Sequence, residues 1–258
     1  MKLLNIRWVT LLAPVLLFSC ASKKNILYLQ DIENYSNTTS SSKNQIRFKK
    51  NDEITINVSS SDKKSAIPFN LPLVSNANNN QINLQQTIQP YLVDENGDIQ
   101  FPILGKIHVL GLTRNELNDL LKERIEEYVK SPIINIRITN FSVSVLGEVR
   151  KPGVYRINNE RVTLLEALSL AGDLSIYAER KEIILIREDK DYNKVYFKIN
   201  ITESKLFDSD YYYLQQNDAI VVSPNRAQVQ SSAFNRNTPI YVSIASLLLS
   251  VLTIFALN

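Results

Sequence analysis

Residues 91–138 read YLVDENGDIQ FPILGKIHVL GLTRNELNDL LKERIEEYVK SPIINIRI, and they decide the class of the fold. Tyr91-Leu92-Val93 and Ile99-Gln100-Phe101 flank Asp94-Glu95-Asn96-Gly97-Asp98, an Asn-Gly turn between short apolar runs that predicts a β-hairpin. Thr113 and Glu116 form a capping box ahead of an apolar stripe at helical spacing: Leu117, Leu120, Leu121, Ile125, Tyr128 and Val129. That predicts a helix over 113–130, stopped by Ser131-Pro132. Ile134, Ile136 and Ile138 then alternate with Asn135, Arg137 and Thr139 as a half-buried strand does. Strand, hairpin, helix and strand in this order make an α+β unit. The acidic turn is not a calcium loop, because Ile99 stands where Gly is required and Gly105 where Glu is required.

On the N-terminal side, residues 46–58 predict a strand pair around a Lys50-Asn51-Asp52 turn, with Ile54, Ile56 and Val58 on one face. Residues 59–89 are rich in Asn, Gln and Ser and predict a long loop. Residues 34–44, NYSNTTSSSKN, are polar enough to read as a tether. The chain starts with a secretory signal: Lys2 and Arg7, an apolar core over 8–18, then Ser19. Leu17-Phe18-Ser19-Cys20 resembles the bacterial lipobox, which makes Cys20 the expected lipidation site. A free Cys is a liability in an exported protein, and lipidation accounts for the only one. Ala21, Ser22, Lys23 and Lys24 follow, with no Asp after the Cys, so the sequence resembles lipoproteins sent to the outer membrane.

On the C-terminal side, Val143 and Val145 alternate with Ser, Gly147 permits a bulge, and Pro152-Gly153 predicts a turn. Thr163 and Glu166 cap a short helix over 163–171 that ends at Gly172. Strands follow at 183–187 and 195–199, and residues 214–223 close the unit. A small sheet wrapped on one helix is the β-grasp pattern. Residues 240–257, IYVSIASLLLSVLTIFAL, carry no charge and predict a helix of roughly 27 Å, about the thickness of a bilayer core. Thr238 and Pro239 mark its start. Ser243, Ser246, Ser250 and Thr253 fall on one face, opposite Ile244, Leu248, Val251, Leu252 and Phe255. Two readings of that stripe are open: association with other copies of the helix, or a lone anchor whose hydroxyls bond back to their own carbonyls.

The totals exclude several classes. A net charge of +3 over 258 residues gives no signature of nucleic-acid binding, and one His and one Cys rule out a Cys/His zinc cluster and an intrachain disulfide. No metal or cofactor site is expected. His108 alternates with apolar residues as a strand-surface position does, with no acid or nucleophile beside it in the sequence. A glycosidase needs only two placed carboxylates, so enzyme chemistry ranks third rather than being ruled out.

In combination, the lipobox, IRFKKNDEITINV, YLVDENGDIQFPILGKIHVLGLTRNEL, SPIINIRITNF and VSVLGEVRKPGVYRI resemble the outer-membrane polysaccharide export lipoproteins of capsule and exopolysaccharide systems. The resemblance covers most of residues 46–224. It implies a polysaccharide export domain over 46–141 and a soluble-ligand-binding β-grasp domain over 142–225. Around them it implies a signal peptide at 1–19, a lipidated tether at 20–45, a linker at 226–238 and a transmembrane helix at 239–258. Gly97, Pro102, Gly105, Gly111, Gly147, Pro152 and Gly153 would be the structural motif residues. Members form rings whose C-terminal helices make a barrel through the outer membrane, so Ser243, Ser246, Ser250 and Thr253 would line a pore. The implied partners are other copies of the chain, a polysaccharide, and an inner-membrane co-polymerase of the tyrosine-kinase type. The implied location is the outer membrane, with most of the chain in the periplasm. The alternative is a glycan-binding envelope scaffold anchored at both ends without a pore. Asn51-Asp52 and Asn217-Asp218 stand where the family usually has Gly-Asp, and Asn can hold the same positive-φ turn. The chain has room for one β-grasp module where the best-known members carry more.

Overall fold

Alternation builds the first sheet. In the computed structural model, which describes residues 26–35, 45–75, 86–189, 192–233 and 238–257, strand β1 (Glu53–Ser59) buries Ile54, Ile56 and Val58. One edge of β1 pairs antiparallel with β4 (Tyr91–Leu92) and the other with β7 (Ile133–Ile138). Between them come a single helical turn α1 (Lys63–Ala66), a short ribbon of β2 (Leu73–Ser75) and β3 (Gln86–Ile88), and the hairpin β5 (Asp98–Phe101) and β6 (Gly105–His108). Helix α2 (Arg114–Ile125) carries the expected capping box and sets Leu117, Leu121 and Ile125 into one core with the sheet.

The second unit is a five-stranded mixed sheet in the order β11 (Lys194–Ile199), β10 (Ile183–Glu188), β12 (Ala219–Val222), β8 (Ser142–Gly147), β9 (Gly153–Arg156). Only the β12–β8 pairing is parallel. Helix α3 (Leu164–Leu170) has its own Thr163–Glu166 capping box and buries Leu164, Ala167 and Leu168 in a second core with this sheet. One helix on a mixed sheet is the arrangement that the β-grasp pattern predicts, and the whole is an α+β fold. Helices α4 (Arg226–Ala233) and α5 (Thr238–Leu257) follow.

Several expectations are corrected. The Asn-Gly turn forms, but its arms do not pair as a hairpin. Asp94 Oδ1 accepts the N–H groups of Asn96 and Asp98, both at 2.9 Å, and Gly97 O accepts those of Val109 and Leu110. With those groups occupied, Tyr91 pairs with Ile54 and Asp98 with His108; the hairpin lies one turn later, across 102–104. Nor do residues 46–49 pair with β1, whose two edges are already filled. Phe48 instead exchanges backbone bonds with Leu112 and Gly111.

Helix α2 ends at Ile125 rather than Lys130, and of its stripe Tyr128 is exposed, resting on Phe69. Gly153 is the first residue of β9, paired with Val145, and not the positive-φ member of a turn; the reversal is made at 148–151. Part of the expected long loop, 60–70, is ordered: the Asn70 side chain bonds Val58 N and O, both at 2.8 Å.

Residues 26–35, within the stretch read as a tether, are docked on the second unit. Leu29 and Gln30 donate to Ile201 O and Thr202 O, Asp31 accepts from Ser204 N and Oγ, and Tyr28 donates to Asp173. Helix α5 stands at the expected place. Among the described residues, however, no helix is long and apolar enough to cross a membrane. The expectation of a helix at this place holds for its position and helicity.

Candidate functional site

The two Asn-Asp pairs fold into the same turn twice. Asn51 (φ 65°) and Asn217 (φ 66°) hold the left-handed conformation that Asn tolerates. In each, the following Asp donates its N–H to the carbonyl three residues back, Lys49 or Gln215, and its Oδ2 accepts that residue's N–H at 2.8 Å. Each turn launches a strand, β1 or β12. They meet at the junction of the two units: Asn140 donates to Asn51 O and accepts from Glu53 N, while Gln216 donates to Asn140 O and accepts from Ser142 N.

The two buried aspartates differ in charge compensation. Asp218, 0% exposed, is gripped by Arg187 through Nε at 3.0 Å and Nη2 at 2.7 Å, and Arg187 also donates to Tyr213 O. Asp52, 1% exposed, has no such partner, and its Oδ1 and Lys49 Nζ are both buried without a hydrogen-bond partner among the described residues. Burial pushes the Asp52 carboxyl from 3.8 up to about 6, against the Lys49 N–H and ammonium that hold it down. Burial also pushes the Lys49 ammonium below the usual lysine range; Asp218, Asp52 and Glu188 oppose that fall and Arg187 adds to it.

Beside the junction lies a cleft of about 690 Å³ with both units in its walls. Arg114 and Asn115 come from the start of α2, Arg137 from β7, and Asn158 to Arg161 from the loop after β9. The Arg114–Glu160 ion pair spans the two walls, and the Arg161 guanidinium lies 5.1 Å from the Tyr213 ring centre. Ile136, Ile138 and Phe141 supply apolar floor.

On α5 every described side chain is exposed, including Ile240, Leu247, Leu248 and Leu249. Ser243 donates to Pro239 O, Ser246 to Ser243 O at 2.8 Å and Ser250 to Leu247 O at 2.7 Å, the back-bonding that a lone anchor would use. Cys20 and the Thr253 side chain lie outside the described residues. Gly97, Gly105, Gly111 and Gly147 have positive φ. Pro102 opens the β5–β6 turn and Pro152 precedes β9. His108, read as having no acid beside it, meets one across the hairpin. Its Nδ1 is 2.8 Å from Asp98 Oδ1, and Lys106 Nζ is 2.8 Å from Oδ2. Lys106 first and then His108 hold the Asp98 carboxyl below its usual range.

The model of the family described as polysaccharide biosynthesis/export protein matches residues 40–139, and that of the SLBB domain matches residues 142–222. The chain belongs to the polysaccharide export family. Among curated proteins it is similar to two named EPS I polysaccharide export outer membrane protein EpsA. That of Ralstonia solanacearum is 39% identical over 89 residues, 33% of this chain and 24% of the relative. That of Ralstonia nicotianae is 39% identical over 92 residues, 34% and 24%. The chain therefore matches about a quarter of the length of these relatives.

In this polysaccharide export chain the sequence reading singled out the terminal serines and the motif glycines. It missed the Lys49–Asp52 and Arg187–Asp218 cluster and the cleft. The repeated Asn-Asp was the available signal for the first: an acid directly before an alternating apolar strand is placed to be buried. The cleft had none, because its walls come from segments far apart in the chain.

Proposed function

We propose that the chain is a lipid-anchored outer-membrane protein whose copies form a ring channel for a capsular polysaccharide or exopolysaccharide. The observation that carries this reading is the ordered pair of family matches, 40–139 and 142–222, followed by a helix whose described apolar side chains are all exposed. So much contiguous apolar surface needs lipid or other helices against it. Over its full sequence 240–257 the run is long enough to span a bilayer. Cys20 is the lipidation site, and Ser243, Ser246, Ser250 and Thr253 form the wall facing the lumen. The back-bonding of the three serines consumes their hydroxyl hydrogens but leaves oxygen lone pairs for water. Transport of this kind requires no catalytic residue. An inner-membrane co-polymerase of the tyrosine-kinase type would deliver the polymer.

The size of the detergent-purified particle tests this reading. A particle of many chains with a ring in negative-stain images is expected, and a monomer would refute the channel. The serine back-bonding favours one other reading, a glycan-binding scaffold held by acyl chain and helix without a pore. That reading expects the monomer.

A further inference from the structure

We infer that the cleft between the two units binds an acidic sugar of a glycan, with Arg137 and Arg161 holding its carboxylate. The inference rests on the polysaccharide reading above and deepens it by naming the class of sugar.

Three features support it. The volume of about 690 Å³ falls within the range of ligand pockets, about 300–1,000 Å³. Its charge is one-sided: three lining arginines face one lining acid, Glu160, which Arg114 already pairs. Among the described residues neither Arg137 nor Arg161 has an ion pair, so two exposed guanidiniums are free to fork onto an oxyanion. Arg161 is also oriented by its seat over Tyr213. Finally, Asn115, Asn158 and Asn159 are exposed amides, each able to give and accept hydrogen bonds at once, which is what vicinal sugar hydroxyls require. An apolar floor with a few convergent polar groups is the composition of a small-molecule site. Because the arginines come from different units, one on β7 and the other after β9, a bound sugar would also tie the units together.

Calorimetry on the detergent-solubilised full chain tests this, with trigalacturonate, maltotriose and inorganic phosphate as probes. Trigalacturonate should bind at least about tenfold tighter than maltotriose, and the double substitution R137Q/R161Q should weaken it by about tenfold or more. Both side chains are exposed, so the variant should keep its circular dichroism spectrum. Undetectable binding of trigalacturonate, undiminished binding by the variant, or phosphate binding as tight as the sugar would each overturn the inference. So would a change of particle size in the variant without sugar binding by the wild type, which would make the cleft a contact between copies. A deletion strain separates the two levels. Wild-type chain that restores surface polysaccharide yet binds no trigalacturonate refutes the cleft alone. Failure to restore export refutes the reading beneath it.

Discussion

At the scale of the residue, Asp52 and Asp218 occupy the same turn and should respond oppositely to the same substitution. The Asp52 carboxyl is raised from 3.8 to about 6 by burial, so the folded state favours its neutral form. The penalty is absent below about pH 4, where folded and unfolded states are both protonated; it grows as pH rises through 4–6 and is complete above 6. The rise corresponds to roughly 3 kcal/mol at most. Asp52→Asn should therefore stabilise the chain at pH 7.5, by about 1 kcal/mol because Lys49 loses an opposing charge. The gain should vanish near pH 4. Thermal melts across that range check it, and an equal or lower Tm at pH 7.5 would count against it. Asp218→Asn leaves Arg187 buried without its counter-charge and should cost about 3–5 kcal/mol. A loss under 1 kcal/mol in urea unfolding would show that the pair matters little. Gly147 and Gly153 make a second contrast. A Cβ on Gly147, at φ 90°, would meet Val222 O at 2.0 Å, so Gly147→Ala should cost about 3 kcal/mol or more. Gly153 has nothing closer than 4.0 Å and no positive φ, so Gly153→Ala should change Tm little.

At the scale of the element, the helices were the most legible. Thr113/Glu116 and Thr163/Glu166 form the capping boxes that their spacing predicts, and Leu117, Leu121 and Ile125 point inward as their period requires. Strand existence was legible too, from the alternation in 54–58, 134–138 and 143–145. Pairing was not. Asn96-Gly97 specifies a local reversal, but which edge Tyr91 joins depends on β1, some 35 residues away, a contact no local pattern encodes. The cleft was invisible for the same reason. The stripe on α5 leads to a prediction at this scale: Ser246→Leu with Ser250→Leu should leave acylation intact and reduce surface polysaccharide severalfold. Normal export in that double variant would remove the case for a hydroxyl-lined lumen.

At the scale of the whole molecule, the prediction concerns attachment. Cys20→Ala should abolish incorporation of a labelled fatty acid and release protein from the lipid-anchored fraction; retention of label would refute the lipobox. Residues 26–35 and α4 both hold to the second unit: Leu29 and Gln30 bond to 201–202, and Asn225, just before α4, donates to Tyr177 O at 2.7 Å. An acyl group on Cys20 would then sit on a leash of eight residues before Tyr28, at most roughly 28 Å long. Acyl chain and terminal helix would thus pull on the same unit. With both attachments in place, the β-grasp unit would lie nearer the membrane and the export unit farther from it. The ten docked residues 26–35, which composition alone would have passed over as string, would then set the orientation of the chain on the membrane.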